Sequence, residues 1–195
     1  MVLGITGKSG SGKHTAAEFL RQKGWVILDA DRIAHHLYRP YTRVWKAVSD
    51  RFGEGILSAN DTIDRQKLGQ IVFNGENPAE SEKALKDLNA ILHPAIREYL
   101  KNELYHLKQA KKPLIAIIGA LWEEVGLHEL CEKLLLIKAD RKMAFDRIQK
   151  RDGSTEAAYR ERVKNQALPE KPDFTVENNG TFQEFYKSLN SLGLG

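Results

Sequence analysis

Three observations predict a doubly wound α/β sheet for this chain. Short apolar runs alternate with helical patterns along most of its length. A glycine-rich segment follows the first of these runs directly and opens a helix. The runs at residues 2–5, 25–28, 114–118 and 134–137 lack the polar alternation of half-exposed strands, as strands buried on both faces of a parallel sheet require. In such folds ligands sit at the carboxyl ends of the strands.

The glycine-rich segment is Gly7-Lys8-Ser9-Gly10-Ser11-Gly12-Lys13-His14-Thr15. Gly7, Gly12 and Lys13 fit Gly-x-x-x-x-Gly-Lys, the phosphate loop of nucleotide-binding proteins. Its glycines let backbone N–H groups turn inward around an anion, and the helix N-terminus adds a positive dipole end. Lys13 is placed to reach the β- and γ-phosphates. The next position normally carries Ser or Thr, whose hydroxyl binds Mg²⁺; here it is His14.

Beyond the first helix, residues 25–28 form a strand ending in Asp29-Ala30-Asp31, and helical patterns cover about 31–39 and 41–52. Gly53-Glu54-Gly55 marks a turn. Asp64 is placed to cap a helix over 65–73, which Asn74-Gly75-Glu76-Asn77-Pro78 interrupts. A long helical pattern spans about 79–109, with a boundary or kink expected at His93-Pro94. A buried strand at 114–118 follows, then a helix over 121–131, a strand at 134–137, and helices at about 141–151 and 155–166. A short strand at 174–176 and a helix over 182–192 close the pattern. The stretch from 35 to 109 has no clear buried strand and reads as a helical insertion.

The length of 195 residues suits one α/β domain with a sizeable core. Cys131 is the single cysteine, so an intrachain disulfide is excluded and a cytoplasmic setting is expected. No apolar run approaches membrane-spanning length, and with a core strand read from residue 2 no signal peptide is expected. The net charge of +4 is spread among acidic residues. Without a basic block or an aromatic-interleaved patch, it points to a site for small polyanions rather than to nucleic acid. His35-His36 does not read as a metal pair, because adjacent helical side chains diverge. Trp25, Trp45 and Trp122 read as packing anchors.

Taken in order, these residues resemble dephospho-coenzyme A kinase, a P-loop kinase of the nucleoside-monophosphate-kinase type, over nearly the whole chain. Ile5-Thr6-Gly7 with Gly10-Ser11-Gly12-Lys13 matches the opening motif, and Asp29-Ala30-Asp31 with Ile33-Ala34 the next. Phe52-Gly53, Ile56-Leu57, Asp64-Arg65 and Leu68 match the middle, and Leu92-His93-Pro94 with Arg97 resembles the substrate-side motif. Gly126-Leu127, Arg147, Arg151-Asp152, Arg162, Gln166, and Asp173 with Asn178 and Gly180 match the later motifs. Two positions depart from the pattern: His14, and Ile118 where a carboxylate is usual.

The resemblance implies a P-loop NTPase core at about 1–34 and 110–195, a helical substrate-binding insertion at about 35–109, and a helical lid at about 141–167. It implies ATP-dependent phosphorylation of the ribose 3′-hydroxyl of dephospho-coenzyme A, with ATP and Mg²⁺ as cofactors. No nucleic-acid or membrane partner is expected, and a monomer is favoured.

Lys13, Asp31 and Arg147 are the catalytic candidates. Gly10, Ser11, Gly12, Lys13, His14, Thr15, Arg147 and Asn178 are placed on the nucleotide, Asp31, His93 and Arg97 on the acceptor, and Asp29 and Asp31 at the metal. Plainer roles stay open for several of them. Asp31 suits a base taking the acceptor's proton, or a helix N-cap before Ile33-Ala34. Asp29 suits a metal-side carboxylate or a loop hydrogen-bonder. Arg147 and Arg151, four apart on one helix face, suit closure over ATP or a solvated face paired with Asp146 and Asp152. Asn178 suits an adenine contact or a turn, and His93 a ligand contact or a helix boundary. Two further readings of the whole chain also remain: a kinase for another nucleotide or small alcohol, and a weakly catalytic nucleotide-binding or regulatory protein.

Overall fold

The apolar runs become the strands of one all-parallel sheet. The computed structural model describes residues 1–73, 75, 77–120, 122–164 and 166–194. The strands are β1 (Val2–Thr6), β2 (Val26–Asp29), β3 (Ile115–Ile118), β4 (Lys133–Lys138) and β5 (Phe174–Glu177). They lie side by side in the order β2-β3-β1-β4-β5. Every residue of β1 is buried, as befits a central strand covered on both faces. After β1 the chain builds one side of the sheet, and with β4 it crosses to the other, so β1 ends at the switch point where such sheets bind ligands.

The register sets the carboxyl ends level. Ile118 pairs with Ile5 on one side and with Asp29 on the other. The loop after β1 and the end of β2 therefore emerge on the same edge.

The helices are α1 (Lys13–Gln22), α2 (Ala30–Leu37), α3 (Arg43–Phe52), α4 (Arg65–Phe73), α5 (Pro78–Gln109), α6 (Trp122–Val125), α7 (Arg141–Asp152), α8 (Glu156–Lys164) and α9 (Phe182–Asn190). Two compact units result, Met1–Asp31 with Glu103–Gly195, and Arg32–Asn102. In the first, α1 and α9 pack their apolar faces on the sheet through Ala16, Leu20, Phe185 and Leu189. Trp25 is buried there, and its indole N–H donates to Leu194 O at 3.0 Å. Asp173 joins the starts of β4 and β5 by accepting from Lys133 Nζ at 2.7 Å and Leu134 N at 2.9 Å.

In the second unit the buried residues recur at helical spacing, Val44 and Val48 on α3, Leu68 and Val72 on α4, then Ala84, Leu88, Leu92, Ile96 and Leu100 on α5. Asp64 caps α4 as its position predicts, its Oδ1 accepting from Gln66 N and Lys67 N.

Several boundaries differ from the sequence expectation. No helix boundary falls at His93-Pro94, for α5 runs unbroken from Pro78 to Gln109 with Pro94 inside it. The apolar stripe keeps its phase on both sides of the proline, and its burial outweighs the lost hydrogen bond. The helix expected over 121–131 is one turn of α6 followed by a 3₁₀ turn at Leu127–Leu130, because Gly126 takes the left-handed conformation (φ 67°) between them. Leu121, at its start, lies outside the described residues, as do Asn74 and Glu76 of the expected interruption and Asn165 near the end of the expected helix 155–166. The helix at 31–39 is shifted to begin at Ala30. Among the described residues no helix is long and apolar enough to cross a membrane.

Candidate active site

The loop after β1 wraps tightly because its glycines leave no room for side chains. Gly10 and Gly12 have φ of 83° and 103°, a region other residues avoid. A Cβ on Gly10 would lie 2.3 Å from Ala144 O, and one on Gly12 2.2 Å from Asn178 Nδ2. α1 then starts with no side-chain cap and no acidic residue in its first turn. Its first N–H groups and its dipole are thus directed at whatever anion the loop encloses. The Ser11 hydroxyl is buried in this turn without a hydrogen-bond partner among the described residues.

Lys13 is buried against that loop. Its Nζ donates to Gly7 O at 2.6 Å and to Lys8 O at 3.3 Å. Burial lowers the ammonium pKa to about 8, a shift opposed by the charges of Asp31 and Asp29 and reinforced by Arg151. A phosphate beside it would restore the charge that burial disfavours.

Asp31 opens onto the same cleft as Lys13. It lies within the first turn of α2, after Ala30. The capping role that its position suggests is therefore not the one it fills. Its carboxyl pKa is raised, first by the protein mass that withholds water from it and then by the charge of Asp29, against the pull of Lys13, the Ala120 N–H and His14. Asp29, its neighbour across Ala30, meets His14, whose Nε2 lies 3.1 Å from Asp29 Oδ2. The His14 side chain is 63% exposed and that of Asp29 only 11%, so the carboxylate is fixed while the imidazole reaches it from the open side. Ile118 is buried in register beside Asp29. The end of β3 is thus apolar, and the carboxylates of this edge come from β2 and the start of α2.

Among the described residues no three His, Cys, Asp or Glu side chains converge on a metal position. Asp29 and Asp31 do crowd each other enough to raise the Asp31 pKa, a repulsion that a cation shared with nucleotide phosphates would relieve. The two carboxylates fit that limited role.

Residues of α7, α8 and the end of β5 line the cleft beside the loop. Arg147 does not stand in solvent with Asp146. Its guanidinium donates to Gly10 O at 3.3 Å and to Asn178 O at 2.8 Å, and it reaches Asn178 Oδ1 at 3.3 Å. Asn178 is buried, and its Nδ2 donates to Ser11 O at 2.8 Å. Both ends of its amide are therefore engaged within the protein, which makes Asn178 the tie between β5, the phosphate loop and Arg147. Arg151 lines the same cleft and pairs with Asp152, which Arg162 and the Ser154 hydroxyl also contact. Together these donors hold the Asp152 carboxyl below the usual carboxylate range.

Two residues hold Ser9 through contacts that were not legible in the sequence. Gln166 accepts from Ser9 N at 2.8 Å and donates to Ser9 Oγ at 3.1 Å, and the Tyr159 hydroxyl donates to Ser9 O at 3.4 Å. Tyr159 belongs to a small apolar cluster with Ala144 and Ile148 that joins α7 to α8.

The structure thus brings Gly10, Gly12, Lys13, His14, Thr15 and Asp31 to one cleft of about 980 Å³, which Arg147 and Asn178 also line beside the loop. Ser11 lies beneath the loop. His93 and Arg97 are half-buried one turn apart on α5, within the Arg32–Asn102 unit. Phe182 also lines the cleft and was not anticipated. Its signal is the Thr181-x-x-Glu184 capping box, which places residue 182 at the first, outward position of α9.

A glycine-tight phosphate loop, a buried lysine and a carboxylate facing one cleft are the parts of a phosphotransferase. The comparisons with known proteins agree. The family model described as dephospho-CoA kinase matches residues 1–184. The dephospho-CoA kinase of Lactobacillus johnsonii is 36% identical over 194 residues, covering 97% of this chain and 95% of that protein. That of Geobacillus kaustophilus is 35% identical over 193 residues, covering 97% and 93%. Among solved structures, a protein from Thermus thermophilus superposes with a TM-score of 0.80 at 26% identity, covering 98% of this chain and 95% of its own. Dephospho-CoA kinase from Campylobacter jejuni superposes with a TM-score of 0.69 at 25% identity, covering 98% and 94%. With its loop, its cleft and nearly its whole length accounted for, the chain belongs to the dephospho-CoA kinase family, enzymes that phosphorylate dephospho-CoA to CoA with ATP.

Proposed function

We propose that this chain transfers the γ-phosphoryl group of ATP to the ribose 3′-hydroxyl of dephospho-CoA, with the residues of the loop cleft in the following roles. The backbone of Gly10–Thr15 and the Lys13 ammonium hold the triphosphate. Asp31 orients the acceptor hydroxyl and takes its proton as oxygen attacks the γ-phosphorus, and ADP leaves. A carboxyl with a raised pKa suits that task, since a stronger base accepts the proton more readily. Arg147, pinned beside Gly10, supplies positive charge where the transferring group passes. Mg²⁺ bound to the phosphates would neutralise charge developing on them, with Asp29 and Asp31 as its protein-side ligands. His93 and Arg97 are assigned to the acceptor. The segment 141–167 serves as the lid, hinged at Gly153, where α7 ends in the left-handed conformation (φ 69°). A cytoplasmic monomer fits the lone Cys131, whose burial pushes the thiol pKa up to about 12 and so keeps it unreactive.

The observation that carries this reading is that Lys13 and Asp31 share one cleft, each in the first turn of the helix that follows one of two strands whose ends the sheet register sets level. A weaker, regulatory version of the same protein draws support from His14 and Ile118, which stand where a hydroxyl and a carboxylate would otherwise serve the metal. Coupled ADP release by the purified chain, with and without dephospho-CoA, separates the two. Acceptor-dependent release supports the kinase. ATP binding without such release supports the regulatory version, and release with a different alcohol only would replace the acceptor.

A further inference from the structure

The geometry points to Phe182 as the platform on which the adenine ring of the phosphoryl donor stacks. The assignment rests on the reading that the phosphate loop holds the triphosphate of ATP. It supplies what that reading lacks, a surface for the base. Asn178, the side chain that the sequence suggests for adenine, has both ends of its amide committed to Ser11 and Arg147. Phe182 lies four residues further along the chain, lines the same cleft and is 72% exposed. An exposed aromatic ring beside a phosphate site is the kind of surface on which a base stacks, whatever its hydrogen-bonding edge.

The ring is exposed but not loosely held. The capping box fixes the backbone on either side of it, with Thr181 N donating to Glu184 Oε2 at 2.8 Å and Glu184 N to Thr181 Oγ1 at 3.3 Å. One helical turn on, Tyr186 meets Phe182 in an edge-on arrangement with ring centroids 6.4 Å apart. Tyr186 in turn lies 4.9 Å from Phe19, a buried residue of α1. The helix that carries Lys13 therefore also braces the platform, which fixes the position of the ring relative to the phosphate loop.

Dephospho-CoA also contains an adenine. The donor is favoured because Phe182 shares its cleft with Gly10, Gly12 and Lys13. Calorimetric titration of the full chain with ATP, inorganic tripolyphosphate and dephospho-CoA distinguishes the two sources. Phe182→Ala is expected to weaken ATP by roughly 5- to 100-fold, the range for losing one aromatic–base stack, while leaving tripolyphosphate unchanged. Phe182→Tyr should restore ATP binding. Where the alanine variant does not fold, Phe182→Leu carries the same comparison, since it keeps bulk and loses the π-face. Unchanged ATP affinity overturns the assignment. So does an equal loss for ATP and tripolyphosphate, which would make the ring a support for the loop, or a loss confined to dephospho-CoA, which would give it to the acceptor. Lys13→Ala tests the underlying reading separately. If that variant keeps its tripolyphosphate affinity, the loop assignment fails whatever Phe182 does.

Discussion

On one side of the cleft, Gly10, Gly12, Asn178 and Arg147 lock together through backbone carbonyls and close steric contact. On the other, His14, Asp29 and Asp31 meet mainly through charge, and His14 stands largely in solvent. The first wall leaves almost no freedom of substitution: a methyl group on either glycine would strike another part of the protein, and neither end of the Asn178 amide is spare. At His14 the second wall tolerates exchange, because an exposed side chain that answers a neighbouring charge can be replaced by another of different chemistry without disturbing packing. The two departures from the expected pattern follow this division. His14 is on the tolerant wall, and Ile118, where the resemblance implies a carboxylate, is buried in the apolar sheet.

The comparison breaks most visibly at Asp31. Asp31→Asn should lower kcat by about 10²–10⁴-fold, the usual contribution of a positioned base, with ATP affinity held within a few-fold. Steady-state kinetics and nucleotide binding measured on the same preparation check both halves. Near-normal kcat would leave Asp31 a structural residue of the first turn of α2.

The tolerant wall can be sharpened by restoring a hydroxyl. His14→Ser removes the contact with Asp29 and offers an oxygen to a hard cation. Tightening of Mg²⁺ in the nucleotide complex by about tenfold is expected, at the low end of the effect of groups that orient metal ligands. Parallel Mg²⁺ and Mn²⁺ titrations of both forms decide it. Loss of activity with both metals would show His14 to be a working part of the site.

The rigid wall predicts a stability cost instead. Asn178→Ala leaves Ser11 O and one donor of Arg147 short of a partner in a largely buried place, at about 1–3 kcal/mol. Denaturant unfolding should register this loss together with weaker ATP binding. A loss of binding with unchanged stability would return Asn178 to a direct role on the nucleotide.

The smallest effect concerns pH. Lys13 titrates at about 8 in the free protein because burial outweighs its two carboxylate neighbours. The charged form holds phosphate, so affinity for metal-free tripolyphosphate should be full below that pH and fall by up to tenfold per unit above it. Lys13→Arg should flatten the profile. A flat wild-type profile would mean that Lys13 stays charged well above 8.

Much of this was legible in the sequence because it depends on local chemistry. Unbroken apolar runs marked the strands, and Gly7, Gly12 and Lys13 marked the anion site before any neighbour was known. What stayed hidden depends on contacts made far along the chain. Gln166 and Tyr159 reach Ser9 across more than a hundred residues, and nothing around them announces it. Asn178 was read as a turn or an adenine contact because its partners, Ser11 and Arg147, lie on other elements. Pro94 misled for the opposite reason. Its local rule is sound, but the apolar stripe of α5 carries the helix through it.

The place of β1 in the sheet has a consequence for how the chain comes to be built. β1 is the middle strand, yet the partners that flank it begin only at Ile115 and Lys133. During synthesis this strand, buried along its whole length in the finished sheet, emerges before the other four and waits for over a hundred residues before either neighbour exists. The Arg32–Asn102 unit, held by contacts near in sequence, can form meanwhile, since pairing distant segments is the slow step. A nascent chain in which the helical unit has formed would still carry β1 unpaired, and in that interval a chaperone would have something to hold.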